Sequence, residues 1–204
     1  MDDNNLLDFF SEKERAAHTK WRKQRTTFFS GILKILSRLG VSANSLSVVG
    51  ILAVLLFPFL VSRHPYWAIF VVICHLFFDA LDGPMARFQN KLNKFGSLLD
   101  IIADHTAMVM VVVGLLVLKL VNPIEAVIYV YVYIILIVLI IVRNIVGKSP
   151  GLIIRTKYIL YISYVVFVLT NWQIYSILLP LFIILSIIPL VSSLVVLSKY
   201  FAHD

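Results

Sequence analysis

From Tyr158 to Ser198 the chain carries no charged residue. A helix in water keeps a polar face, so a stretch this long and this apolar belongs in a bilayer. It is too long for one crossing, which takes about 20 residues. The polar run Thr170-Asn171-Trp172-Gln173 divides it into two. Further uncharged runs cover Leu39–Ser62, His64–Phe78, the residues after Asp104 to Leu118, and Ala126–Val142. Only 14% of the chain is charged and 60% is hydrophobic, against about 25% charged in an ordinary soluble domain. This excludes both a soluble globular domain and a disordered chain. The pattern predicts an all-α integral membrane protein with six transmembrane helices, near 45–62, 66–87, 96–119, 124–147, 153–170 and 173–198.

Charge sets the expected orientation. With six spans both termini share a face, and that face collects all but Arg63 and Lys119 of the eighteen Lys and Arg residues. Cytoplasmic loops hold the excess of basic residues, so both termini are expected in the cytoplasm and the protein in the cell membrane. Residues 1–40 read as a cytoplasmic, interfacial segment, and residues 41–200 as the membrane domain. In the first part Phe28, Phe29, Ile32, Leu33, Leu36 and Leu39 recur at helical spacing, with Lys34 and Arg38 largely off that stripe. This predicts an amphipathic helix lying in the membrane interface. The net charge of +7 then suits an anionic lipid surface, and no nucleic-acid partner is expected. A single cysteine, Cys74, leaves no internal disulfide and no Cys-based zinc cluster.

Acidic residues inside the membrane domain are few. Between Leu39 and Ser198 they are Asp79, Asp82, Asp100, Asp104 and Glu125. Glu125 falls in an expected external turn. The other four form two pairs, Asp79/Asp82 at i, i+3 and Asp100/Asp104 at i, i+4, each on one face of its helix. A short connection joins the two helices, so the pairs can meet at one depth. Four like charges in an apolar bundle need neutralising, and hard oxygen ligands favour Mg²⁺, Mn²⁺ or Ca²⁺. Four carboxylates can hold two divalent cations, an arrangement suited to phosphoryl transfer. Between the pairs, Gly83 permits close backbone approach, Ala86 is small, and Arg87 can grip a phosphate. Helix capping and ion pairing with Arg87, Lys91 and Lys94 would account for one Asp, but poorly for four together.

Asp79-x-x-Asp82-Gly83-x-x-Ala86-Arg87, eight residues, then Gly96-x-x-x-Asp100-x-x-x-Asp104 resembles the signature of the CDP-alcohol phosphatidyltransferase family. All its fixed positions are present, an agreement expected by chance on the order of 10⁻¹⁰ per start site. Ser42-Ala43-Asn44-Ser45-Leu46-Ser47 is similar to the Thr-Pro-Asn-x-Leu-Thr segment of many members, with Ala43 in place of Pro. His105 stands where many members carry Lys or Arg.

The resemblance implies transfer of a phosphatidyl or archaetidyl group from CDP-diacylglycerol or CDP-archaeol to a small alcohol, with release of CMP. It implies two divalent cations, Mg²⁺ before Mn²⁺, on Asp79, Asp82, Asp100 and Asp104, with Asp104 as general base. Asn44, Ser47, Gly83, Ala86, Arg87 and Gly96 would hold the CDP and its phosphates. A homodimer is expected of the family. Arg143, Lys148, Arg155 and Lys157 make a second basic group on the same face, the expected clamps of an acceptor phosphate; Arg143 and the Arg155-Thr156-Lys157 segment loosely resemble basic positions of members that use phosphorylated acceptors. Glycerol 3-phosphate or inositol 1-phosphate is therefore the expected acceptor, with serine or another unphosphorylated alcohol as the alternative. A small cation transporter would also bury carboxylates, but usually at midplane on broken helices within inverted repeats, and no internal repeat is seen.

Overall fold

The structure is a computed structural model that describes residues 24–148 and 156–202. Those residues form helices and turns: α1 (Ser30–Arg38), α2 (Ala43–Leu55), the short α3 (Phe57–Leu60), α4 (Pro65–Phe88), α5 (Lys94–Val117), α6 (Pro123–Ile145), α7 (Thr156–Thr170) and α8 (Tyr175–Phe201). Five stretches are long and apolar enough to cross a membrane: Ala43–Leu60, which joins α2 and α3, and α4, α5, α6 and α8. The helix α7 has 15 described residues, about 22 Å of rise, less than the roughly 30 Å hydrocarbon core.

Polar residues start the helices where the sequence needs them. Ser42 Oγ accepts from the Ser45 N–H (3.1 Å) at α2, Asn93 Oδ1 from the Gly96 N–H (2.6 Å) at α5, and Asn122 Oδ1 from the Ile124 N–H (2.8 Å) at α6. Each satisfies an amide the helix cannot. Pro65 and Pro123 occupy first helical positions, where no N–H is required. Four helices end in one way. The residues Gly40, Asn90, Lys119 and Gly147 adopt left-handed φ angles of 52–75°, and the next amide reaches back to the carbonyls of Leu36, Ala86, Leu115 and Arg143. This wrap satisfies carbonyls that would otherwise be orphaned at the helix end.

The bundle forms because α2 lies along α4 and α5, α6 along α8, and α7 against α4 and α5. Its core gathers Phe57, Val111, Leu115, Tyr129, Tyr164 and Phe182, all essentially inaccessible. The rings of Phe57 and Tyr164 meet edge to face at 4.8 Å. A second, smaller core of Leu33, Leu46, Leu81 and Met85 docks α1 on the bundle. The outward faces stay apolar: Ile177, Leu181, Ile184, Ile188, Val191 and Val195 line one exposed stripe of α8. A stripe of that composition is stable against lipid tails and not against water.

One expectation changes in detail. The first span is broken at Leu56, so α2 and α3 share one crossing. Gly83-Pro84 lies inside α4, which runs on to Phe88, next to the expected end at 87. Pro180 and Pro189 likewise lie inside α8.

Gly114 has no side chain because Phe57 fills that space: a Cβ there would lie 2.4 Å from the ring. Overpacking of this kind costs typically about 1–3 kcal/mol. Gly114→Ala should therefore lower the thermal midpoint in detergent, and adding Phe57→Leu should recover part of the loss. An unchanged midpoint would show that α3 and α5 are less closely packed.

Candidate active site

The two Asp pairs sit at matching depth because the helices run into and out of the same face. Asp82 and Asp79 lie six and nine residues before the end of α4, and Asp100 and Asp104 six and ten after the start of α5. At 1.5 Å per residue these are about 9 Å and about 14 Å inside the helix ends. The four carboxylates fall within electrostatic reach of one another, and those of Asp79 and Asp104 are in contact.

Each acid is held differently. Asp82 is buried, with Oδ2 accepting from Ser47 Oγ (2.6 Å) and Oδ1 from the Gly83 N–H (2.6 Å). Asp104 pairs with the Lys157 ammonium from the first turn of α7, with side chains only 13% and 4% exposed. Thr156 positions that turn: it is buried, and its Oγ1 lies 2.8 Å from the Tyr129 hydroxyl of α6. One turn beyond Lys157, the buried Tyr161 hydroxyl has no hydrogen-bond partner among the described residues, and it lies near Asp104, Asp79 and Tyr133. Neither contact of Asp104 nor the place of Tyr161 was apparent from sequence. The available signal was the i, i+4 spacing of Lys157 and Tyr161, which puts both on one face.

Among the described residues no three Asp, Glu, His or Cys side chains converge closely enough to hold one metal ion. The donor set nevertheless suits a hard divalent cation. It is made of carboxylates alone, and it already attracts a cation, the Lys157 ammonium.

The other predicted residues distribute around this centre. Gly83 faces the Arg87 guanidinium, which would lie 3.6 Å from a Cβ at that position. At Gly96 a Cβ would meet Asn44 Oδ1 at 3.3 Å, so the start of α2 reaches the start of α5. Ala86 is partly buried one position before Arg87. Arg87 Nε donates to Thr26 Oγ1 (3.3 Å), and Arg25 Nη2 to the Ala80 carbonyl (2.6 Å). In the second basic group, buried Arg143 donates through Nε to the Lys148 carbonyl (2.8 Å) and through Nη1 to Ser193 Oγ (3.2 Å). It thereby ties the end of α6 to α8, while Lys148 itself is exposed. Lys157 faces Asp104 instead of joining Arg143 in these contacts. Arg155 lies outside the described residues.

An archaetidylinositol phosphate synthase from Pyrococcus horikoshii is 33% identical over 83 residues, 40% of this chain and 44% of that protein. The alignment thus spans less than half the length of this curated relative. Residues 40–197, which include every described carboxylate, match the CDP-alcohol phosphatidyltransferase family. By this match, and by the complete signature at one depth of the bundle, the chain belongs to the CDP-alcohol phosphatidyltransferase family.

Proposed function

We propose that the protein transfers a phosphatidyl or archaetidyl group from a CDP-linked lipid to a phosphorylated polyol and releases CMP. The observation that carries this is the gathering of Asp79, Asp82, Asp100 and Asp104 beside Gly83 and Arg87. The name of the Pyrococcus relative, an archaetidylinositol phosphate synthase, favours inositol 1-phosphate over glycerol 3-phosphate.

In this reading Arg87, with Asn44, Ser47, Gly83, Ala86 and Gly96 around it, holds the CDP headgroup while the acyl or archaeol tails remain in lipid. Two divalent cations on the four carboxylates, Mg²⁺ or Mn²⁺, would neutralise the pyrophosphate and polarise the phosphorus under attack. Asp104 accepts the proton of the acceptor hydroxyl as its oxygen bonds to the lipid-side phosphorus. The bond from that phosphorus to the bridging oxygen breaks, and CMP leaves with the electron pair. Lys157 holds the Asp104 carboxylate in the cation-free site. Lys157 then joins Arg143, Lys148 and Arg155 around the acceptor phosphate.

The setting follows the same logic. α7 belongs to a sixth crossing, and both termini and the site face the cytoplasm. α1 carries two adjacent apolar stripes. Phe29, Leu33 and Leu36 pack on the bundle, while Phe28, Ile32, Ile35 and Leu39 are exposed at i, i+4, i+7 and i+11. The exposed stripe rests in the lipid interface, residues 1–40 acting as its anchoring segment beside the 41–200 membrane domain. The working unit is a homodimer.

Two outcomes are expected. Purified protein with Mg²⁺ and a CDP-lipid should release CMP with inositol 1-phosphate, and Asp104→Asn should slow that release by about 10²–10⁴-fold. Release with serine or inositol but not with a phosphorylated polyol would overturn the acceptor, and no release with any would overturn the reaction. Breaking a buried ion pair typically costs about 3–5 kcal/mol. Lys157→Met should therefore lower the thermal midpoint in EDTA, and Mg²⁺ should restore it by taking the ammonium's place. A midpoint unaffected in EDTA would mean that the pair does not hold Asp104.

A further inference from the structure

Pro84 lies inside α4, and its ring nitrogen carries no hydrogen. In a regular helix the residue at 84 would donate to the carbonyl of residue 80, so Pro84 removes the regular donor of the Ala80 carbonyl. A guanidinium takes its place. Arg25 Nη2 donates to the Ala80 carbonyl at 2.6 Å across a separation of 55 residues. The contact sets a positive charge close enough to Asp82 to interact with it.

Three further contacts fix the segment that carries Arg25. Thr26 Oγ1 accepts from Arg87 Nε. Leu33 and Phe29 pack on Leu81 and Met85. Beyond α1, Gln89 Nε2 donates to the Val41 carbonyl at 2.9 Å. The N-terminal segment is therefore clamped along the turn of α4 that holds Asp82, Gly83 and Arg87, and Arg25 stands at its near end.

We propose that Arg25 is a binding residue for the donor's diphosphate, held in position by the carbonyl that Pro84 leaves open. A guanidinium offers several donors in a rigid fork that matches phosphate oxygens, and an Arg already held in place loses less freedom when it forms a further bond. Two guanidiniums, Arg25 and Arg87, then flank the same turn, one delivered by the N-terminal segment and one by α4. A diphosphate has charge for both, whereas a monophosphate has less to offer the second. The inference deepens the donor reading given above and rests on it.

The test is binding of soluble CDP-glycerol and of CMP to the full chain in detergent, followed by calorimetry. Arg25→Met should weaken CDP-glycerol binding by about tenfold or more, as expected for loss of a charge-assisted bond. Its effect on CMP should be smaller. Pro84→Ala returns an N–H to the Ala80 carbonyl and competes with Arg25. It should weaken CDP-glycerol in the same sense, and the double variant should bind no worse than Arg25→Met alone. If Arg25→Met does not fold, Arg25→Lys carries the test, with a loss for CDP-glycerol that exceeds its loss for CMP. Wild-type protein that binds CDP-glycerol, with Arg25→Met or Arg25→Lys binding it within twofold of wild type, overturns the role of Arg25 alone. Wild-type protein that does not bind CDP-glycerol overturns the donor reading as well.

Discussion

Four carboxylates in an apolar bundle repel one another and lose their water, and everything around them is arranged to meet that cost. The Lys157 ammonium against Asp104 is the plainest part of the arrangement. It comes from a different helix from the acids, so α7 must pack on α4 and α5 for the charge to be met. Ser47 and the Gly83 amide do the same for Asp82 with hydrogen bonds. The packing of α2, α4, α5 and α7 is thus tied to the electrostatics of one small centre.

The same centre explains why the N-terminal segment is folded back. Without the segment from Arg25 through α1, the Leu81 and Met85 side chains would lose their cover and the Ala80 carbonyl its guanidinium. A membrane helix tolerates proline where a neighbour meets the exposed carbonyl. Here that neighbour lies before the first span. Sequence-distant parts of the chain therefore converge on residues 79–87, and the site is built by at least four elements although its signature occupies two.

Much of this was legible in the residues. The uncharged runs located the helices, because burial in lipid requires continuous apolar sequence. The Asp spacings placed each pair on one face of its helix. The rest depends on contacts that no local pattern encodes. Lys157 reads as one of several basic residues near a membrane face, and only packing shows it against Asp104. Arg25 is one of eight basic residues in the N-terminal segment. Its partner is a backbone carbonyl, which has no sequence signature except the proline four residues later. Phe57 fills the space over Gly114, a fit that hydropathy does not register.

The central claim is that the four carboxylates form one cation-binding centre in which Lys157 stands until a divalent ion replaces it. Titration of purified protein with Mn²⁺, followed by electron paramagnetic resonance, tests it most directly. Binding should weaken sharply in each of Asp79→Asn, Asp82→Asn, Asp100→Asn and Asp104→Asn, and tighten in Lys157→Gln. Mn²⁺ binding that is indifferent to the four Asp substitutions, or that weakens when the Lys157 charge is removed, would contradict it.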